Sequence, residues 1–286
     1  MNKLLTFSFI GGDLRQKEVI SQLAEDGFHI KVFGFSDIER KGNIYPCKTV
    51  VECVKDADVI VLPLPVMVRG KINAPFSQTE IDVNQVIENA ESNAVIFGGK
   101  IPDEIKNADF KVFDYSEREE MAILNAIPTA EGAISIAMEN TPYTLFGSKC
   151  LVIGYGKIGK VLSKDLKSLG ADVTATARKY SDLAWVKANG YKGVKTSEIV
   201  TVADEFDIIF NTVPHMVLDF KVLSKTKRDV LIIDLASRPG GVDFQVAKEL
   251  NRHTIQALSL PGKVAFKTAG GIIKNTLVNI LEELGV

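Results

Sequence analysis

Short apolar runs separated by helical patterns recur in both halves of the chain. In the first half they fall at residues 4–10, 29–35, 58–66, 93–97 and 110–115, and in the second half at 150–153, 172–177, 208–213 and 230–235. Strands that alternate with helices pair in parallel through crossover connections. The pattern therefore predicts α/β domains built on parallel sheets. The run at 58–66 is apolar at nearly every position, which is typical of a strand covered on both faces.

Two stretches have a helical pattern instead. Residues 116–145 are rich in Glu, Ala, Ile and Met and are interrupted by Pro128 and Pro142, so we expect one or two helices that link the domains. Residues 268–284 carry apolar side chains at helical spacing: Ile272, Ile273, Leu277, Ile280, Leu281 and Leu284. Such an amphipathic helix must bury its stripe, and the first domain is one surface on which it could do so.

Composition and charge exclude several classes of protein. The 34 Lys and Arg against 36 Asp and Glu give a formal charge of −2, which offers no basic surface for nucleic acid. The longest apolar run, 59–68, is interrupted by Pro63 and Pro65, so no membrane span is expected. Three scattered cysteines and three scattered histidines predict neither a disulfide framework nor a metal site. Without a recognisable signal peptide, the chain is expected to be cytoplasmic.

One glycine motif carries a specific chemistry. The apolar run ending at Ile153 leads into Gly154-Tyr155-Gly156-Lys157-Ile158-Gly159, and a helical pattern follows. In G-x-G-x-x-G the first glycine permits the tight turn, the second lets the backbone approach a pyrophosphate, and the third lets the helix pack closely on the strand. The strand-to-helix context favours a dinucleotide site made by residues 154–159 over a plain tight turn.

The end of the next predicted strand bears on the cofactor's identity. An NAD site usually places an acidic residue there, whereas this chain has Arg178, Lys179 and Ser181 around Tyr180. Cationic groups suit a 2′-phosphate, so we predict NADP, although a solvated basic turn has the same composition. Two later strand ends are expected beside the nicotinamide and its ribose. The first consists of Asn211, Thr212, Val213 and Pro214, and the second begins at Asp234.

These motifs give a domain plan. At 286 residues the chain exceeds the usual size of one domain. We expect two Rossmann-like domains with parallel sheets facing each other across a cleft. The plan assigns a Rossmann-like or flavodoxin-like substrate domain to 1–128, an interdomain helix to 129–146 and an NADP-binding domain to 147–265. The plan assigns residues 266–286 to a C-terminal helix, which could pack on the first domain.

Candidate substrate groups lie at predicted strand ends. Arg238 offers a planar fork for a carboxylate and Ser237 a hydroxyl donor, although the Pro-Gly-Gly that follows is equally consistent with a simple turn. In the first domain, Arg15 follows the first strand-to-helix turn and could hold a small carboxylate. For acid–base chemistry Glu131 and His215 are the candidates, but a helix-terminal carboxylate and a loop histidine explain them equally well.

Five segments together resemble one enzyme family. They are IGGDLRQ at 10–16, IPTAEG at 127–132, the turn at 154–159, DLASRPGG at 234–241 and LPGKVAFKTAG at 260–270. This combination resembles the A subunits of dipicolinate synthase from endospore-forming bacteria, over nearly the whole chain. The overall plan is also similar to that of the two-domain 2-hydroxyacid dehydrogenases.

The resemblance implies an NADP-dependent oxidation of dihydrodipicolinate, a small dicarboxylate, to dipicolinate. It also implies that the partner is a smaller, flavoprotein-like B subunit and that synthesis takes place in the mother-cell cytoplasm during sporulation. Two alternatives remain open: an NADPH-dependent reductase of a small imino or keto acid, and a cofactor-binding partner of the B subunit without chemistry of its own. The identity of the catalytic base and the number of chains in the assembly are left open as well, and a homo-oligomer is one possibility.

Overall fold

The computed structural model describes residues 5–285 and divides them into two compact units. The first unit contains the described residues up to Leu124 and those from Ala265 onward, and the second contains Asn125–Val264. The helix expected between the domains at 129–146 therefore lies inside the second unit, where it begins at Ala126 and ends at Asn140.

The first unit is built on a six-stranded parallel sheet. Its strands are β1 Thr6–Ile10, β2 His29–Phe33, β3 Ile44–Pro46, β4 Val59–Val61, β7 Val95–Gly98 and β8 Lys111–Asp114, and β5 Met67–Val68 pairs with β6 Lys71–Ile72 in a short antiparallel hairpin. The helices are α1 Leu14–Glu25, α2 Val50–Val54, α3 Val83–Ile87, α4 Asp103–Lys106, α5 Glu119–Leu124 and α12 Phe266–Glu283. The strand order is β3-β2-β1-β4-β7-β8, so chain order reverses direction between β1 and β4, as in doubly wound sheets.

The closing helix completes the core of this first unit. Helix α12 packs along α1 and buries the apolar stripe seen in the sequence, including Ile273, Leu277 and Ile280, in one cluster with Phe7, Val19 and Leu23. Lys274 adds a 2.6 Å ion pair with Asp26 at the end of α1. The return of the C-terminal helix to the first domain is thereby confirmed.

The second unit repeats this topology. Its strands are β9 Lys149–Ile153, β10 Asp172–Ala177, β11 Lys192–Lys195, β12 Ile208–Asn211, β13 Leu231–Asp234 and β14 His253–Gln256, in the order β11-β10-β9-β12-β13-β14. The helices are α6 Ala126–Asn140, α7 Lys157–Ser168, α8 Tyr180–Ala188, α9 Phe220–Leu223, α10 Phe244–Glu249 and α11 Leu260–Val264. All pairings are parallel, and the prediction of two Rossmann-like parallel-sheet domains is confirmed.

Several strand boundaries differ from the sequence prediction. The run at 58–66 forms a strand only over Val59–Val61, because Pro63 and Pro65 have no N–H to donate to a neighbouring strand. Leu62 and Val66 in the segment that follows are nevertheless buried, and Val66 N–H donates to Gly99 O at 2.9 Å. Leu4, the first residue of the first predicted strand, lies outside the described residues.

One stretch, Glu119–Asn140, is long and apolar enough to span a membrane by length and composition alone. In the structure it is not one helix, because α5 ends at Leu124 and α6 begins after Asn125. Helix α6 buries Ala130, Ala133 and Ala137 in the main core of the second unit. Packing against α7 and α11 therefore accounts for its apolar face.

Candidate functional site

The glycine motif forms the turn from β9 into α7. Gly154 has a φ of +95°, and a Cβ there would lie 2.6 Å from Thr212 Oγ1. A Cβ on Gly159 would lie 2.0 Å from Gly154 O, so the turn closes only with glycine at that position. Gly156 is the N-cap of α7, no side chain caps the helix, and a Cβ on Gly156 would meet nothing within 4 Å. The turn is thus tight inside and open where a pyrophosphate would approach.

Neighbouring strands hold this turn in place. Gly154 N–H donates to Thr176 Oγ1 of β10 at 3.3 Å. Thr212, the first residue after β12, donates its hydroxyl to Ile153 O at 2.9 Å. Lys157 and Ile158 are the first two residues of α7, where backbone N–H groups point towards the helix N-terminus. The structure therefore brings together these predicted residues around the crevice between β9 and β12, where the strand order reverses.

A cavity of about 480 Å³ opens beside the end of β10. Arg178 lines it together with Lys195 from the end of β11 and Lys221 from α9. Asp219 also lines the cavity, but its carboxylate accepts the N–H of Val222 at 3.0 Å and so caps α9. Three cationic side chains therefore line the cavity at the position where the sequence predicts the adenosine ribose, and the Lys195 ammonium also donates to the Tyr180 hydroxyl.

Lys179 and Ser181 stand next to this cavity without lining it. Lys179 is the N-cap of α8 and Ser181 is its second residue, and both are exposed. Sequence reasoning misses Lys195 and Lys221, because the pattern of β11 does not mark it as a strand. If the K-G-V-K segment at 192–195 is recognised as a strand parallel to β10, Lys195 is expected at the carboxyl edge of the sheet beside Arg178.

A buried polar network joins the ends of β12 and β13. Asn211 and Asp234 are register partners as the last residues of their strands, and the Asn211 amide donates to Asp234 Oδ1 at 2.7 Å. The same amide donates to Val213 O at 3.0 Å and accepts from Val213 N–H at 3.1 Å. Both side chains are fully buried. The Asn211 side chain therefore positions the loop that carries Val213 and Pro214, and its own contact with a cofactor stays a prediction.

The loop after β13 is fastened to the same network. Asp234 Oδ2 accepts the N–H of Gly241 at 3.2 Å, and Asp234 Oδ1 accepts that of Ala236 at 3.2 Å. Between these anchors, Ser237 and Arg238 are exposed. The loop thus holds the two predicted substrate groups outward at the carboxyl edge of the sheet.

The two acid–base candidates occupy different surroundings. His215 is exposed in the loop after β12, four residues beyond Asn211. Glu131 is the sixth residue of α6 rather than part of its first turn, and it too is exposed. Burial, together with the charge of Glu131, raises the pKa of Asp165, the ninth residue of α7. Glu131 thus belongs to the helix that packs on α7, and its charge acts on Asp165.

In the first unit, Arg15 is already engaged. Its Nε donates to the Asp13 carboxylate at 3.0 and 3.1 Å, and its Nη2 donates to Asp13 at 2.7 Å and also to Leu64 O. Asp13 caps α1 in a capping box with Gln16. Among the partners within residues 5–285, none bonds Nη1, which is the nitrogen left for a further carboxylate, and the Arg15 side chain is only 12% exposed.

Near Arg15, Tyr115 is fully buried, donates to Leu62 O at 3.0 Å and accepts from Gln16 Nε2 at 3.3 Å. Burial raises the pKa of the Tyr115 hydroxyl well above its usual range, so it stays protonated. Tyr115 therefore supports the strand ends around α1 structurally, a role that no local sequence signal indicates.

Taken together, these features define a class: a two-unit α/β oxidoreductase whose second unit is a dinucleotide-binding dehydrogenase domain. Residues 129–260 match the model of the D-isomer specific 2-hydroxyacid dehydrogenase NAD binding domain, and residues 6–112 match that of the N-terminal domain of the dipicolinate synthase A subunit. The dipicolinate synthase A subunit of Bacillus subtilis (strain 168) is 35% identical over 98% of this chain and 97% of its own length. The chain belongs to the family of dipicolinate synthase A subunits.

Two solved structures are similar over the full length. The dipicolinate synthase A subunit from Bacillus halodurans aligns with a TM-score of 0.91 at 30% identity, covering 98% of this chain and 99% of that one. Its counterpart from Bacillus subtilis aligns with a TM-score of 0.91 at 35% identity, covering 100% and 98%. The family expected from the five sequence segments is therefore confirmed.

Proposed function

We propose that this chain oxidises dihydrodipicolinate to dipicolinate with NADP as hydride acceptor. The observation that carries the proposal is an intact dinucleotide turn in a chain that aligns from end to end with the dipicolinate synthase A subunit. The reaction removes one hydride and one proton from the dihydropyridine ring and forms an aromatic ring.

The second unit fits a dinucleotide. The turn at 154–159 presents the uncapped start of α7 to an anion, and the space above Gly156 lets a pyrophosphate come close to the backbone. The nicotinamide ring, when bound, accepts the hydride. The remaining task of the protein is to hold the cofactor and substrate rings in a reactive geometry and to exclude water.

The 2′-phosphate of NADP suits the cavity beside β10. Arg178 provides a planar guanidinium and Lys195 and Lys221 provide ammonium groups, whereas an NAD site would present a carboxylate at the end of this strand. The carboxylate of Asp219 is occupied as the cap of α9 and does not take that place. These charges favour NADP over NAD.

Substrate recognition follows from the charge of the substrate, a small dicarboxylate. Arg238 and Ser237 are exposed on a loop that the Asn211–Asp234 network fixes, so they can donate to a carboxylate with little reorganisation. Arg15 offers Nη1 in the first unit. His215 is our candidate for the group that takes the ring proton, since it is exposed on the loop after β12, and Glu131 is the second candidate.

The relatives are named for one component of an enzyme, which supports a complex with a second one. We propose that this partner is a smaller, flavoprotein-like B subunit. The proposed location is the mother-cell cytoplasm, in line with a biosynthetic enzyme that acts on a small, charged substrate.

Freshly generated dihydrodipicolinate tests the function. The chain, alone and with the B subunit, is mixed with NADP⁺, and the rise of reduced-nicotinamide absorbance is followed together with dipicolinate formation. We expect one NADPH per dipicolinate, and no turnover by Gly156→Ala, whose new methyl group stands where the pyrophosphate approaches. Consumption of NADPH with an imino or keto acid, or cofactor binding without turnover in any combination, would contradict the proposal.

A further inference from the structure

A second cavity of about 390 Å³ lies between α7 and α8, on the face of the sheet rather than at its carboxyl edge. Its lining consists of Tyr155, Trp185 and Tyr191, two lysines of α7, and the side chains of Val161 and Asn189. We propose that this cavity is a separate binding site for a planar aromatic carboxylate. The size lies within the usual range for small-ligand pockets.

Three aromatic side chains form the walls. Tyr155 and Tyr191 meet edge to face, with ring centroids 6.4 Å apart. Trp185 belongs to α8 and is 61% exposed, which is unusual for the largest side chain of a soluble protein. No other aromatic side chain covers it in the part of the chain that the structure describes. A flat aromatic ligand would cover this indole and stack within the same walls.

The polar groups of the cavity are cationic. Lys160 and Lys164 are four residues apart on α7, so both ammonium groups project from one helix face. Among residues 5–285 neither lysine makes an ion pair within 4.0 Å, and Lys160 Nζ lies 5.9 Å from the Tyr155 ring centroid. Two unpaired cations beside a stack of rings match a ligand that combines a π face with one or two carboxylates.

The nearest acidic group on α7 stands outside this lining. Asp165 follows Lys164 and is partly buried. Burial of Tyr191 raises the pKa of its phenol, and the negative charge of Asp165 raises it further. Asp165 does not line the cavity, so the lining itself has no carboxylate, and the charge of Asp165 interacts with that of Lys164 from outside the lining. An uncharged apolar occupant would leave both ammonium groups desolvated and unpaired, which is costly.

The position of Tyr155 connects this cavity to the dinucleotide turn. Tyr155 lies between Gly154 and Gly156, so its backbone is part of the turn while its side chain, 7% exposed, forms a wall of the cavity. A ligand that fixes the Tyr155 ring therefore contacts a residue of the turn itself. Occupancy of the cavity should change the affinity for the dinucleotide, and by linkage the dinucleotide should change the affinity for the ligand by the same factor.

The product of the proposed reaction, dipicolinate, is a planar aromatic dicarboxylate. If dipicolinate is the ligand, the cavity would give feedback regulation of the enzyme by its product, and this part of the inference rests on the proposed function. The binding site itself does not, because its residues and its ligand class are argued from the cavity alone.

Trp185 makes the proposal directly measurable, because it is the only tryptophan of the chain. Pyridine-2,6-dicarboxylate is titrated into the cofactor-free protein while indole emission is recorded, with cyclohexane-1,3-dicarboxylate as a probe of equal charge but no π face. We expect saturable quenching by the aromatic probe and at least tenfold weaker binding of the saturated one. The variant carrying Lys160→Gln and Lys164→Gln should lose at least tenfold in affinity, whereas Lys167→Gln, a matched change one turn later on α7, should not.

Arg238→Ala separates this cavity from the proposed substrate loop, and we expect it to leave the quenching curve unchanged. Equal affinity in the double variant and the Lys167→Gln control, equal affinity for the two probes, or loss of quenching in Arg238→Ala would each overturn the proposal. No turnover is needed, so failure of the proposed reaction would not be mistaken for failure of the binding site. If the chain turned over dihydrodipicolinate but the dicarboxylate did not quench Trp185, the binding site would be refuted while the proposed reaction stood.

Discussion

The Asn211 side-chain amide donates a 2.7 Å hydrogen bond to the Asp234 carboxylate, and neither side chain is exposed to solvent. This pair ties the ends of two neighbouring strands together just before the loops that carry His215 and Arg238. A buried carboxylate that accepts several N–H donors is costly to disturb, because any donor removed leaves it unsatisfied. The pair therefore fixes two loops of the candidate site at once.

Gly241→Ala tests this network. A Cβ at Gly241 would lie 2.4 Å from Asn211 Nδ2 and 2.5 Å from Val213 O, so the loop must shift. We expect a loss of about 1–3 kcal/mol in unfolding free energy, as for overpacking of a tight interior, and a larger proportional loss of activity. Urea unfolding and steady-state kinetics on the same preparation measure both, and unchanged values would show that the loop is not held as described.

We predict that the cofactor preference depends on Arg178. We expect the chain to bind NADP(H) more tightly than NAD(H), and Arg178→Ala to weaken NADP(H) by about 1.5–3 kcal/mol, or about ten- to a hundredfold, with little change for NAD(H). Calorimetric titration of both cofactors gives the comparison. Arg228→Ala, an exposed arginine just before β13 at the opposite edge of the sheet, is the matched control. If Arg178→Ala weakened the binding of NADP(H) and NAD(H) equally, Arg178 would not discriminate between the two cofactors.

The two arginines that we propose as substrate ligands, Arg15 and Arg238, should behave differently. Arg238 is exposed, so Arg238→Ala should lower kcat/KM about ten- to a hundredfold while leaving the melting temperature unchanged. Arg15 pairs with Asp13 and donates to Leu64 O, so Arg15→Ala should lower kcat/KM and also reduce stability by about 1–3 kcal/mol. Kinetics and thermal unfolding of both variants separate the roles. Unchanged kcat/KM in either variant would remove that arginine from the site.

Two adjacent glycines of α12 offer a matched pair for the closing helix. A Cβ on Gly270 would lie 2.6 Å from Glu18 Cβ and 2.8 Å from Arg15 O, whereas on Gly271 the nearest atom is 3.4 Å away. We expect Gly270→Ala to destabilise the chain by about 1–3 kcal/mol. Gly271→Ala should instead stabilise it by about 0.5–1 kcal/mol, the usual gain in a helix interior. Opposite shifts in the urea midpoint are the signature, and equal shifts would argue against this packing of α12 on α1.

The three cysteines should differ in reactivity. The hydrogen bond with Cys53 lowers the pKa of the half-buried Cys47 thiol, while burial raises the pKa of Cys53 well above its usual range. Burial, with the charges of Asp207 and Asp172, raises the pKa of Cys150 to about 12. Since the thiolate is the reactive form, an alkylating reagent at neutral pH should label one thiol per folded chain, at Cys47.

The pH dependence of that labelling has a definite sign. The rate at Cys47 should rise with pH and reach its plateau at a lower pH than that of an ordinary free thiol. Cys47→Ser should abolish the fast phase, and unfolding should expose all the cysteines. Fast labelling of Cys150 in the folded chain would contradict the assignment.

The sequence determined much of the architecture. The apolar runs located the central strands β1, β4, β9 and β12, the glycine spacing located the turn at 154–159, and the stripe after residue 268 located α12. These signals are local: a buried strand needs an apolar run, a close backbone approach needs glycine, and an amphipathic helix shows its period in its own residues. The five segments that indicated the family are also contiguous stretches of sequence.

At three of the four edges of the two six-stranded sheets local patterning is uninformative, whereas the edge strand β8 was located by the run at 110–115. Strands β3, β11 and β14 lie at sheet edges and carry no clear strand pattern, because an edge strand is partly exposed and tolerates Pro, Gly and charged residues, as in K-G-V-K. Conversely, the apolar pattern predicts a strand through residues 62–66, but only isolated backbone hydrogen bonds, such as that from Val66 N–H to Gly99 O, join this segment to its neighbour. Hydrophobicity reports burial, and only the sheet decides which buried backbone is a strand.

Which polar groups meet was decided by the tertiary structure alone. Nothing in the sequence pairs Asn211 with Asp234, separated by 23 positions, or brings Lys195 and Lys221 to Arg178. Parallel register places the last residues of β12 and β13 side by side. The common carboxyl edge of the sheet lets the segments that follow β10 and β12 line one cavity. A residue type sets what a side chain can donate, accept or carry as charge. Its partners depend on contacts between residues far apart in the chain, so only the folded arrangement of the strands fixes them.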